Sequence, residues 1–162
     1  RREDFRDVLT FAKGEVQNSF RVKTDSPKAM AVEMWTADAP YTLDNIVKLD
    51  AAGQVLSMLY LRTIREEESA AYSCGAAGQF NLSSSEPMMM LQAYCPMNPD
   101  KQEVAIRLLH EGIKNASENI SADDLQQVKE AMLKDADIKA KNNNYWMNTI
   151  TTWRDYGVDM LS

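Results

Sequence analysis

The chain has 162 residues, of which 44% are hydrophobic and 26% charged, and a formal net charge of −6. This is one domain of ordinary size, with enough apolar residues to bury a core, and not a disordered chain. An acidic chain without a basic patch is a poor neutraliser of phosphates, and no run approaches the roughly 20 apolar residues of a membrane helix, so neither nucleic acid nor membrane insertion is expected.

Residues 1–17 read as an N-terminal lead-in, and 18–162 as a single domain. Arg1-Arg2-Glu3-Asp4 is followed by mixed sequence without a signal-peptide pattern. A first residue other than Met suggests a processed product or an excised piece. Asp7 to Phe11 fits a short strand or a helical turn equally. Phe20 to Thr24 alternates apolar and polar residues, Asp25-Ser26-Pro27 turns the chain, and Ala29 to Thr36 forms a second strand, so the pair reads as a β-hairpin.

Thr42 is a good helix N-cap. From it, Leu43, Ile46, Val47, Ala51, Val55 and Leu59 recur at helical spacing, which predicts a helix to about Glu67 lying across a sheet. Ala71 to Phe80 reads as a strand, Asn81 to Pro87 as a serine-rich loop, and Met88 to Cys95 as a strand apolar enough to be central. Its three consecutive methionines suit core filling better than an open binding surface. Helices are predicted over Lys101–Ala116, from the N-cap Ser121 to about Lys141, and over Tyr145–Tyr156 with Gly157 as C-cap. Cys74 and Cys95 fall in consecutive strands, and a buried pair of free thiols is the expected state. A soluble protein of the cytoplasm or of an extracytoplasmic space fits this composition. The expected architecture is α+β: an antiparallel sheet of four to five strands with helices packed on it.

One run departs from local rules. Arg65-Glu66-Glu67-Glu68-Ser69-Ala70-Ala71-Tyr72 closes the long helix and enters a strand. Three carboxylates sit where the helix dipole is negative and acids are unfavourable. A solvated charged turn would explain them, and so would a functional site. Chemistry elsewhere is sparse. The single histidine, His110, lies beside Glu111 and cannot supply the three protein ligands of a catalytic zinc, so it is expected as a surface or half-buried helix residue. There is no phosphate loop and no Gly-x-Ser-x-Gly elbow. The chain alone contains no complete catalytic constellation.

The ordered set of motifs does resemble a family. A long helix ending in Thr63-Ile64-Arg65-Glu66-Glu67-Glu68-Ser69-Ala70-Ala71-Tyr72-Ser73 is similar to the C-terminal half of insulinase/pitrilysin-type zinc metallopeptidases. So are Tyr41 to Asn45, Asn98-Pro99-Asp100, Asp124-Leu125 with Val128-Lys129-Glu130, Asn144 to Met147, and Trp153, Tyr156 and Gly157. The likeness covers roughly residues 18–160. It departs at Ala70-Ala71, where relatives often place a Gly before the Tyr, but small residues are kept.

The resemblance implies four homologous α+β domains in the parent, closing around a chamber, with zinc held by an inverted H-x-x-E-H motif in the N-terminal half and none in this chain. It implies that Arg65 and Tyr72 reach across the chamber, the Tyr hydroxyl beside the scissile carbonyl and the Arg on the substrate backbone. Glu66, Glu67 and Glu68 would then not be zinc ligands, and at least one would pair with a cation or face the chamber. The implied partners are a peptide substrate, added along a sheet edge, and the N-terminal half of the same polypeptide or a homologous subunit. Two other readings are a relative without catalysis, serving as a scaffold or partner-binding subunit, and a peptide-binding module unrelated to proteolysis.

Overall fold

The computed structural model describes residues 23, 29–67, 73–82 and 87–158, with the backbone alone for Arg65, Glu66, Glu67, Ser117 and Asn119. The elements are β1 (Ala29–Asp38), α1 (Leu43–Tyr60) continued by a π-helical segment (Leu61–Glu67), β2 (Gly75–Asn81), β3 (Met88–Met97), a 3-10 turn (Pro99–Lys101), α2 (Gln102–Asn119), α3 (Ala122–Lys139) and α4 (Asn143–Tyr156). The order matches the sequence expectation from Ala29 onward.

The sheet is antiparallel in the order β1-β3-β2, so the Met-rich strand is central. Among the described residues it has three strands, not the four to five expected. Both sides of β3 are taken, so a further strand could add only beyond β1 or β2, and no described residue does so. The expected strand Phe20–Thr24 and its hairpin turn lie outside the described residues, apart from Lys23, which is in no element. The lead-in 1–17 lies outside them too. β2 starts later than expected, at Gly75.

Burial follows strand alternation. Ala29, Ala31 and Trp35 of β1 face the core with Ala93, Cys95 and Met97 of β3, whereas Met30, Val32 and Met34 are exposed. Met88 and Met90 are buried too, but the register puts them on the opposite face of the sheet, so of the methionine run only the half-buried Met89 shares the face of Ala93 and Cys95.

Helix α1 begins where Thr42 predicts, with the hydroxyl accepting from the Asn45 amide at 3.2 Å. It lies directly on β2. A Cβ on Gly53 would stand 2.7 Å from the Gly78 amide nitrogen, and one on Gly78 would collide with the Leu49 backbone. Four residues after Gly53, Ser57 Oγ accepts from the Ala76 amide and donates to the Ala76 carbonyl, both at 2.7 Å. Helix and strand therefore meet backbone to backbone, and only glycine allows that approach.

Helix α2 closes the core from the other side. Tyr60 is fully buried, and its hydroxyl donates to the Leu109 carbonyl at 2.9 Å. Burial first, and then the charge of the Glu33 carboxylate, push its phenol well above the ordinary value of 10.0. Helix α3 starts on Ser121 as its cap type predicts, α4 starts two residues earlier than expected with Asn142 as its N-cap, and Gly157 ends α4 in the left-handed conformation.

Cys74 and Cys95 are both buried, as expected, but form a disulfide and not a pair of free thiols. The antiparallel pairing of β2 and β3 brings their Cα atoms to 4.4 Å, the lower end of the range a disulfide spans.

Two outcomes follow from this packing. Gly78→Ala lowers the unfolding free energy by about 1–3 kcal/mol in chemical denaturation, the usual scale of overpacking against backbone. For Tyr60, the folded state keeps its proton above pH 10 while the unfolded chain releases it there. The associated stability is therefore fully present below pH 10 and is lost as pH rises further. Tyr60→Phe removes its share of that alkaline loss, leaving the parts due to Tyr41 and Lys139, and costs about 1 kcal/mol at neutral pH for the Leu109 hydrogen bond.

Candidate functional site

The run that broke the local rules begins in the π-helical segment. α1 does not stop at Tyr60; its ladder widens over Leu61–Glu67, and Arg65 lies within that turn. Single π-turns inside α-helices occur often at functional sites. Within the turn, Thr63 bonds back along the helix. Its hydroxyl donates to the Leu59 carbonyl at 2.9 Å, and a side chain that bonds four residues back competes with the helix ladder there.

Two anchors hold this turn to the rest of the fold. Ile64 is completely buried in the core formed with Tyr60, Leu109 and Cys95. On the other side, Arg62 Nη2 donates to Asp124 Oδ1 of α3 at 3.0 Å. Asp124 is only 7% exposed, the one charged residue buried to that degree among the described residues. It is also the acid of a capping box, with its amide donating to Ser121 Oγ at 3.0 Å. The Ser121 side-chain hydrogen bond and then that of Arg62 hold the Asp124 carboxyl below its ordinary value of 3.8.

The other end of the run is anchored as well. Ser73 and Cys74 precede β2, and the disulfide to Cys95 ties the chain to the central strand two residues after Tyr72. Tyr72 itself, Glu68 and the side chains of Arg65, Glu66 and Glu67 lie outside the described residues. The structure thus fixes the backbone of Arg65 and the strand that follows Tyr72.

Sequence patterns missed the Arg62–Asp124 pair. Asp124 was legible as a first-turn acid, but nothing in one dimension joins it to an arginine 62 residues away. They missed a second feature too. Helices α1, α3 and α4 enclose a cleft of about 400 Å³ lined by Tyr41, Val47, Asp50, Lys139, Tyr145 and Trp153, among others. Burial raises the Tyr41 phenol above its usual value, opposed by a side-chain hydrogen bond to Trp153. The Lys139 ammonium is held by Asp135 at 2.6 Å, which raises it above the usual lysine value, helped by the charges of Asp50 and Tyr145. The cleft adjoins the first half of α1, and Asp50 is roughly 20 Å along the helix axis from Arg65.

His110 is on α2 with its side chain 81% exposed, 3.7 Å from Glu33 Oε1. Among the described residues no group of three or more His, Cys, Asp or Glu side chains could hold a metal ion. No described helix is long and apolar enough to cross a membrane.

A family profile described as the Peptidase M16 inactive domain matches residues 6–132, a span that includes Arg65, Tyr72 and Asp124. The chain belongs to the Peptidase M16 inactive domain family. This bears out the resemblance to a C-terminal domain of the pitrilysin type, argued above from the helix-end motif and its companions. No curated protein sequence matches the chain.

Solved structures share the fold of this M16 domain. The periplasmic protease PqqL from Escherichia coli is similar over 80% of this chain and 14% of its own, at 21% identity and a TM-score of 0.65. The ferredoxin protease FusC, solved as a mutant in complex with Arabidopsis ferredoxin, is similar over 81% of this chain and 14% of its own, at 13% identity and a TM-score of 0.63. A conserved protein from Enterococcus faecalis V583 is similar over 83% of this chain and 31% of its own, at 14% identity and a TM-score of 0.66. The chain therefore spans a small part of the length of each protein it resembles.

The ion pair at the π-turn has a measurable signature. Titrated by NMR, the Asp124 carboxyl has its midpoint below 3.8, and in Arg62→Met the midpoint moves up, because one of the hydrogen bonds that lower it is gone. The pair's contribution to stability is present above the unfolded-state value and is lost as pH falls through the folded-state one. An unmoved midpoint in Arg62→Met would show that the contact is absent in solution.

Proposed function

We propose that this chain is the non-zinc, substrate-binding domain of a zinc-dependent metalloendopeptidase that encloses and cleaves peptides, with Arg65 and Tyr72 contributed from this side of the chamber. The observation that carries the reading is the M16 inactive-domain match across residues 6–132, which places the Arg65-to-Tyr72 run inside the matched family span. The π-helical turn at Arg65 supports it, as a departure from regular helix at the position the motif marks. Two of the similar structures are described as proteases, one of them in complex with a protein. The parent accordingly acts on polypeptide.

Each side chain suits its proposed role. The Arg65 guanidinium is a fixed fork of donors that matches carbonyl and carboxylate oxygens along an extended peptide. The Tyr72 phenol can donate to the oxyanion that forms as the scissile carbonyl is attacked. A turn anchored by Ile64 and a strand tied at Cys74 are rigid supports for both. The described residues offer no donor set for zinc, so in this reading the metal and its ligands belong to the N-terminal half of the parent or to a homologous subunit. This chain alone does not cleave. The Cys74–Cys95 disulfide is at home in an oxidising compartment, the kind of compartment named for the periplasmic protease PqqL.

The test uses the parent protein, assayed for peptidase activity with and without a zinc chelator. Activity is lost on chelation, and Tyr72→Phe lowers kcat by roughly tenfold to a thousandfold with the fold intact, the scale of one oxyanion donor. If neither change matters, the domain is a scaffold or partner-binding unit. Hydrolysis by the 162-residue chain on its own would overturn the assignment altogether.

A further inference from the structure

We propose that Asp124 is a positioning residue for Arg65: through Arg62 it holds the π-helical turn Leu61–Glu67 against α3 and so fixes the backbone on which Arg65 is carried. The role of Arg65 as a substrate contact is taken from the function proposed above. The mechanical part of the inference stands on the fold alone.

The turn needs such a hold. π-helical geometry is rarer and less favourable than the α-helix it interrupts. Reverting to α geometry changes the phase of the following residues by one position, about 100° around the helix axis, since 3.6 residues make one turn. A residue three places after Arg62 would then point elsewhere. The fold supplies two tertiary anchors. Burial of Ile64 keeps the turn on the core but is not directional. The hydrogen bond of Arg62 to Asp124 is directional, at 3.0 Å.

Asp124 is built to serve as a fixed point. It is buried, it sits in the first turn of α3 where the helix dipole favours an acid, and the Ser121 cap orients it. Arg62 keeps nearly half of its side chain in solvent, so its reach is set by the partner and not by packing. Arg62 and Arg65 are the two cations of the turn.

Amide hydrogen exchange on the 162-residue chain tests the hold directly. In Asp124→Asn and in Arg62→Gln, exchange over Leu61–Glu67 accelerates about tenfold relative to the α1 interior, and the double variant exchanges no faster than either single one. Glu111→Gln, which removes an exposed pair with Arg107, changes nothing in the turn. Unchanged exchange in Arg62→Gln, the variant that leaves the buried cap intact, overturns the proposal.

In the parent peptidase, Asp124→Asn raises KM about tenfold with kcat within a few fold, as expected when ground-state substrate binding is weakened, and Asp124→Glu recovers part of it. If KM stays at its wild-type value while Tyr72→Phe cripples turnover, Asp124 does not position Arg65 and the function proposed above stands. If Tyr72→Phe is silent, that function falls, and the exchange rates alone decide whether Asp124 holds the turn.

Discussion

Everything in this domain is referred to the seat of α1 on β2. Gly53 meets Gly78 with no side chain between them, and Ser57 closes the contact with two hydrogen bonds to Ala76. Neither residue type is a strong former of the element it sits in; glycine costs roughly 0.5–1 kcal/mol in either. The cost is accepted because close approach sets the height of the helix above the sheet. That height determines how far Tyr60 reaches, and its hydroxyl finds the Leu109 carbonyl of α2. The helix is thereby clamped between a strand and a second helix before it arrives at the turn that carries Arg65.

The described residues on either side of the run Arg65–Tyr72 are anchored by unlike means. Upstream, the turn combines an apolar anchor, Ile64, with a charged one, Arg62 on Asp124. Downstream, a disulfide joins Cys74 to the central strand. If, as proposed, this domain contributes side chains to a site completed elsewhere, its supports must lie within itself, because the rest of the site cannot hold them in place until the parts meet. In this arrangement the sheet is the reference, α1 is the arm, and α2 and α3 brace its end.

Much of the architecture was legible in the sequence because the signals were local. Thr42 and Ser121 start helices, and Gly157 ends one, through hydrogen bonds and dihedral preferences that act within a few residues. The apolar run Met88–Cys95 marked the central strand because a strand with neighbours on both sides has little room for polar side chains. The motif at the end of α1 pointed to the family, and the family match agrees. Reading Cys74 and Cys95 as free thiols failed, since the sequence shows two cysteines on neighbouring strands but not the pairing register that sets their separation. The strand count failed as well, among the described residues, because alternation in a short segment identifies a strand candidate and not a partner for it.

By itself, then, the sequence determined element types, their order, their caps and the family to which the domain belongs. These rest on periodicity, capping chemistry and a contiguous motif, all short-range properties of a chain. Only the tertiary structure decided that α1 widens into a π-turn at Arg65, that Arg62 reaches a buried Asp124, that the cysteines are joined, and that a cleft opens beside Tyr41 and Lys139. Each of those depends on residues far apart in sequence being brought within a few ångströms. For the cysteines that distance is set by the β2–β3 register, and for Arg62 and Asp124 by how α1 packs against α3.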